Sequence, residues 1–189
     1  MSLTFDEATE LLEQPKTLVP PFRWNEVRRQ DTRSSLNQIE NPLPVQRYDL
    51  LASAAISGGV PRGLCLRYSV FPRRLYSAKF QLECNRSTKD RTMHVLYRME
   101  WRPIRGHVNG AHHDAELAFR VFEDGESHHH SCLDHIGADG HVKSGDVQLA
   151  RAINPDFRDL HSALTFVCDT LNVINGSVLP EPGSQGQLF

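Results

Sequence analysis

The hydrophobic pattern of this chain switches period twice, from helical to alternating and back. At the start, "TFDEATELLEQPK" repeats apolar residues at helical spacing: Phe5, Ala8, Leu11 and Leu12. Thr4 stands where an N-cap belongs and Glu7 follows three residues on, the pair of a capping box; Pro15 closes the segment. A short amphipathic helix is predicted. "FRWNEVRRQ" reads as a strand, the stretch from Asp31 to Asn41 is polar, and "NPLP" at 41–44 breaks the chain. "VQRYDLLASAAISGG" reads as a second helix ended by Gly58 and Gly59, with a loop and short strand as the alternative.

From Gly63 the period becomes two. "GLCLRYSVF" sets Leu64, Leu66, Tyr68 and Val70 against Cys65, Arg67 and Ser69. "RLYSAKFQLEC" sets Tyr76, Ala78, Phe80, Leu82 and Cys84 against Lys79, Gln81 and Glu83. "TMHVLYRMEW" places Met93, Val95, Tyr97, Met99 and Trp101 on one side and His94, Leu96, Arg98 and Glu100 on the other, with His94 expected at the surface. "ELAFRVFEDG" alternates Leu117, Phe119 and Val121 with Ala118, Arg120 and Phe122, and "ESHHHSCLD" follows a turn at Asp124-Gly125 as the next strand. "ADG" at 138–140 is a turn, and "GDVQLARAI" is a short strand or edge segment. Strands so close in sequence predict an antiparallel meander.

The helical period returns in "NPDFRDLHSALTFVCDTLNV", where Asn154 is a candidate cap, Pro155 suits the first helical position, and Leu160, Leu164, Val167 and Leu171 form the stripe. The expected fold class is α+β: a single antiparallel sheet of about five or six strands packed on N- and C-terminal helices, its other face more polar. One domain is expected over residues 1–174, with 175–189 as a flexible tail.

Composition narrows the chemistry without naming it. At 189 residues, 39% hydrophobic and 23% charged, the chain can bury a core unaided. A formal charge of -2 gives no footprint for nucleic acid over the whole molecule, and Arg28, Arg29 and Arg33 read as a solvated patch. Cys65, Cys84, Cys132 and Cys168 form no C-x-x-C pair and read as reduced and buried. The N-terminus carries no cationic segment followed by an apolar one, and no apolar run approaches the ~18 residues of a membrane helix. A cytoplasmic protein without a membrane partner is expected; its oligomeric state is open.

The unusual feature is ten histidines, all but His161 lying from His94 to His141. On a strand, His128 and His130 share a face while His129 points away. His107 and Asn109 in "RGHVNG" share a side in the same manner. If the strands around Arg98 and His128 are neighbours, one polar face gathers Arg98, Glu100, His107, His128 and His130. Three readings fit. Acid–base catalysis uses imidazoles of opposite protonation, with Arg98 stabilising a developing charge, as RNA cleavage by a 2′-hydroxyl requires. A zinc or nickel site uses H-x-H with His107 or His135 as third ligand. The plain reading has histidines capping turns and bonding carbonyls. A Cys132–His nucleophile lacks an orienting group. "NGAHHD", with His112, His113 and Asp114, reads as a solvated hairpin loop, and His161 as solvated on the last helix. There is no P-loop, G-x-G-x-x-G, H-E-x-x-H or G-x-S-x-G.

In order, "LTFDEATELL" with "PK", "VLYRMEWRPIRGHVNG", "HHHSCLDH", "VQLARAI" and "DLHSALTFVCDTLNV" resemble a family of small bacterial proteins that form a domain of unknown function. The resemblance spans residues 3 to 173, and its specific part is short. It implies that Arg98, His107, Asn109, His128, His130 and Cys168 are the shared elements; Gly110 stands where such proteins carry a proline. The pattern is also faintly similar to toxins of bacterial toxin–antitoxin pairs, which implies a nuclease-like or phage-defence role. The leading expectation is a protein acting on RNA or a nucleotide. His128 and His130 are then acid and base, Arg98 binds phosphate, and His107 and Asn109 orient the substrate. The alternatives are a non-enzymatic interaction module, the partner subunit of a toxin–antitoxin or phage-encoded system, and a metal-dependent hydrolase.

Overall fold

The computed structural model describes residues 3–28, 45–56, 63–72, 77–87, 90–143, 147–154, 156–180 and 182. The first helix, α1 (Phe5–Glu13), begins as its sequence predicts. The Glu7 N–H donates to Thr4 Oγ1 at 3.2 Å and the Thr4 N–H donates to Glu7 Oε2 at 3.0 Å. These bonds satisfy two of the donors that a helix start leaves bare. Ala8 and Leu11 are buried, whereas Phe5, expected on the apolar stripe, is exposed.

Eight strands form one antiparallel sheet: β1 (Lys16–Val19), β2 (Trp24–Arg28), β3 (Val45–Ile56), β4 (Cys65–Phe71), β5 (Ser77–Ser87), β6 (Asp90–Trp101), β9 (His128–Ser131) and β10 (Arg151–Ala152). Two short strands, β7 (His107–Val108) and β8 (Val121–Phe122), make a separate ribbon. The main order is β1-β3-β4-β5-β6-β9-β10, and β2 also pairs with β3. The sheet is therefore larger than the five or six strands expected. Residues 45–56, read as a helix, are the long strand β3, one edge of which is occupied by β2 against Val45–Leu50 and by β1 against Ser53–Ile56. Leu50, Ala52 and Ala54 are buried while Leu51 and Ser53 are exposed, a period of two. Alanine-rich composition favours a helix locally, but pairing on both edges decides the conformation.

The core lies on one face of the sheet. Leu50, Leu66, Tyr68, Phe80, Leu82, Met99 and Trp101 are buried there with Ala8 and Leu11 of α1 and Ala163 and Val167 of the last helix, α2 (Leu160–Thr170). Each large apolar side chain buried this way contributes roughly 1.5–3 kcal/mol. The cap of α2 is Asp159, whose Oδ1 accepts from the Ser162 N–H at 2.7 Å. Asn154, the cap expected from the sequence, lies ahead of the helix, which starts later, at Leu160. Pro155, the expected first helical position, lies outside the described residues. Residues 175–180, read as the start of a tail, are packed: Asn175 exchanges hydrogen bonds with the Leu18 backbone at 2.7 and 3.0 Å, and Leu179 is buried. Of the arginine patch, Arg29 and Arg33 fall outside the described residues.

On the opposite face, registers align two rows that cross the strands, polar throughout except for Leu51. One runs Asp49, Ser69, Lys79, Glu100, His128; the other runs Leu51, Arg67, Gln81, Arg98, His130. The two histidines stand at the β9 end of these rows. No helix among the described residues is long and apolar enough to cross a membrane.

Candidate functional site

The β6–β9 pairing assembles the site. Arg98 lies opposite His130 and Glu100 opposite His128, so alternation on each strand puts all four on the polar face. His129 points the other way and stacks on Tyr97. After β6 the chain turns back over this face as the β7–β8 ribbon. Gly106 is needed at its start, because a Cβ there would lie 2.3 Å from the Phe122 carbonyl oxygen. Within the ribbon His107 pairs with Phe122. The rings of His107, His128 and His130 then meet, with centroids 5.5, 5.1 and 5.1 Å apart. Phe122 packs against His128 at 4.9 Å.

Hydrogen bonds fix the tautomers. His128 Nδ1 lies 2.9 Å from the Glu126 carbonyl, an acceptor only, so the proton sits on Nδ1. His128 Nε2 is left as a bare acceptor: it is buried, makes no hydrogen bond, and lies 3.8 Å from Glu100 Oε2. His107 Nε2 lies 3.1 Å from Asn109 Oδ1, which accepts from the Ala150 N–H at 2.7 Å. Asn109 Oδ1 is thereby an acceptor, and His107 Nε2 is the donor. Asn109 Nδ2 donates to the Leu117 and Ala150 carbonyls at 2.8 and 2.9 Å. This buried amide clamps residues 109–117 to residue 150 and holds the His107 ring.

Arg98 is engaged in the same way. Its guanidinium donates to the Val147 carbonyl at 2.7 Å, lies 3.3 Å from His130 Nε2, and approaches Glu100 Oε1 at 3.4 Å. Burial pushes His130 down to about 2; the neighbouring Arg98 charge acts in the same direction, and a hydrogen bond to the Leu149 backbone opposes it. Burial also lowers His128, against the opposing pull of the Glu126 carbonyl and Glu100. Both imidazoles are neutral at pH 7. They are 1% and 0% exposed, while His107 and Glu100 are partly open to solvent.

The six residues singled out in the sequence thus converge, though in unequal positions. His107 and Glu100 form the open side, His128 lies behind them, and Arg98, His130 and Asn109 are tied to backbone. His135 accepts the Gln148 and Leu149 N–H groups through Nε2 at 3.1 and 3.0 Å, so that nitrogen is not free for a metal. Among the described residues, no group of three or more His, Cys, Asp or Glu side chains is arranged to hold a metal ion. Cys132 is buried, which pushes its thiol up to about 12 and leaves it unreactive. His94, expected at the surface, is buried.

Sequence reasoning missed two participants. Residues 117–120 are loop rather than strand, which separates Phe119 from Phe122 and lets Phe122 face inward against the imidazoles. Arg120 is exposed, with its guanidinium 5.0 Å from the Phe122 ring centroid. No local pattern of the sequence marked either residue as part of the site. Two cavities of about 500 and 510 Å³ lie elsewhere, on the core side around the start of α2, and neither is lined by His107, His128 or His130.

No family model matches the chain, and no curated protein and no solved structure matches it either.

Proposed function

We propose that the cluster is an acid–base site acting on RNA or a nucleotide. The observation that carries this reading is the bare Nε2 of His128. Buried polar atoms are ordinarily hydrogen-bonded. Other buried histidine nitrogens also lack a partner, among them His129 Nδ1 and His141 Nδ1; His128 Nε2 differs in facing Glu100 and the open side where His107 stands. In this reading a 2′-hydroxyl entering from the open side gives its proton to Glu100, which passes it to His128 Nε2 behind, and the hydroxyl oxygen attacks the adjacent phosphorus. Protonated His107 gives a proton to the departing 5′-oxygen, leaving a 2′,3′-cyclic phosphate. Glu100 stabilises the imidazolium that forms on His128. Arg98 is committed to the Val147 carbonyl and to Glu100, so exposed Arg120 binds the phosphate.

The test is incubation of the purified protein with short RNA in the presence of EDTA. Cleavage to cyclic-phosphate ends is expected, reduced at least about 100-fold in His128→Gln with the unfolding midpoint retained. RNA left intact by the wild type, or cleaved equally by the variant, overturns the reading.

A second reading, a non-enzymatic interaction module, draws on the outer side of the ribbon. Val108, Phe119 and Val121 are 62%, 67% and 55% exposed, a local apolar patch of the kind that marks partner surfaces. The main-chain locks on His128 and His130 also suit a scaffold.

A further inference from the structure

We infer that the cavity between the core face of the sheet and the start of α2 is a binding site for a small amphipathic carboxylate with a planar apolar body. The cavity measures about 500 Å³, within the ~300–1,000 Å³ of ligand pockets. Tyr68, Trp101, Leu164 and Leu179 supply its apolar wall. Tyr68 is itself held between Trp24 and Phe80, with ring centroids 4.9 and 4.5 Å away, so the wall is braced against collapse.

The polar side is equally fixed. Arg102 adopts φ +48°, a conformation that non-glycine residues keep only when their surroundings hold them. Here the Arg102 N–H donates to Ser127 Oγ at 3.1 Å, its guanidinium sits 4.7 Å over the Trp101 ring, and one of its N–H groups donates to the Arg158 carbonyl at 3.1 Å. The result is a pre-positioned cation at the edge of an apolar hole, with Arg158 and His161 beside it. The one acid among the described residues at the rim, Asp159, has its Oδ1 bonded to both the N–H and Oγ of Ser162. Among the described residues at the rim, the guanidinium groups of Arg102 and Arg158 outnumber the single carboxylate, and the occupant is an anion. With one donor of Arg102 taken by Arg158, the remaining edge suits the two coplanar oxygens of a carboxylate.

The test titrates the full chain with 2-naphthoate, 2-naphthyl phosphate and neutral 2-naphthylmethanol. Heat of binding is followed together with the indole N–H resonance of Trp101, which donates to the Phe157 carbonyl at 3.2 Å. Naphthoate is expected to saturate one site, shift that resonance, and bind at least tenfold more tightly than the alcohol. Arg102→Gln should bring naphthoate down to the level of the alcohol. Leu164→Trp, which fills the cavity, should abolish binding of all three. Absence of saturation at millimolar naphthoate, equal affinity for the alcohol, or binding that survives Leu164→Trp overturns the proposal. Tighter binding of the phosphate overturns the choice of carboxylate.

Discussion

Two buried polar centres in this molecule are built on opposite terms. Lys16 is fully buried in β1, and its ammonium donates to the carbonyls of Leu12, Gln14 and Leu171 at 2.8, 2.8 and 2.7 Å. Its three protons meet three acceptors, which join the end of α1 to the end of α2. Burial lowers its pKa to about 8, still above neutrality, so the charge remains. His128 and His130 are buried as deeply, but the Nε2 of His128 is left unused. The contrast teaches how a fully paired polar group differs from one with capacity to spare: Lys16 has no donor left to offer, whereas His128 keeps an acceptor uncommitted.

The largest expected effect breaks the complete side of that comparison. Lys16→Met strands three carbonyls and should remove about 4 kcal/mol of stability, read from urea unfolding. A loss under about 1 kcal/mol would show that the three bonds are dispensable.

Acid tests the cluster next. His130 sits at about 2 when folded against 6.5 as its ordinary value. The unfolded chain therefore binds a proton below 6.5 that the folded chain refuses, and stability is lost as pH falls from that point toward 2. At pH 5 the loss is about 2 kcal/mol for His130 alone. The urea midpoint should fall between pH 7 and pH 5, and His130→Gln should flatten that fall. An unchanged slope would mean that water reaches His130.

The smallest change sharpens the comparison most. His128→Leu removes an unsatisfied acceptor and one bond to Glu126, so its stability should stay within about 1 kcal/mol of the wild type. A much larger loss would place His128 with Lys16 as scaffold.

How much of this was legible beforehand depends on range. Both helices, the capping box, and the inward alternation of β4, of β5 and of Tyr97, Met99 and Trp101 in β6 follow from contacts within a few residues, and the pattern carried them; the register shift opposite Leu82 and Glu83 breaks the alternation, and Leu96, expected on the polar side, is in the core. The shared face of His128 and His130 was equally readable. Their partnership with Arg98 and Glu100 rests on β9 pairing with β6, a match across a long connection that only the sequence order of strands suggested. Three features stayed hidden. β3 looked helical because Ala52, Ala54 and Ala55 have no preference strong enough to announce a strand paired on both edges. The depth of the imidazoles depends on the ribbon folding over them, which no local pattern encodes. Asn109 reads in the sequence as a group that orients substrate, yet its four bonds run to residues 107, 117 and 150.

That amide has an architectural consequence. Because Asn109 pins both the departure and the return of the excursion through residues 110–117, the intervening segment can change length or composition without retuning the imidazoles beneath. A change in the rim is in this way decoupled from the geometry of the centre it surrounds.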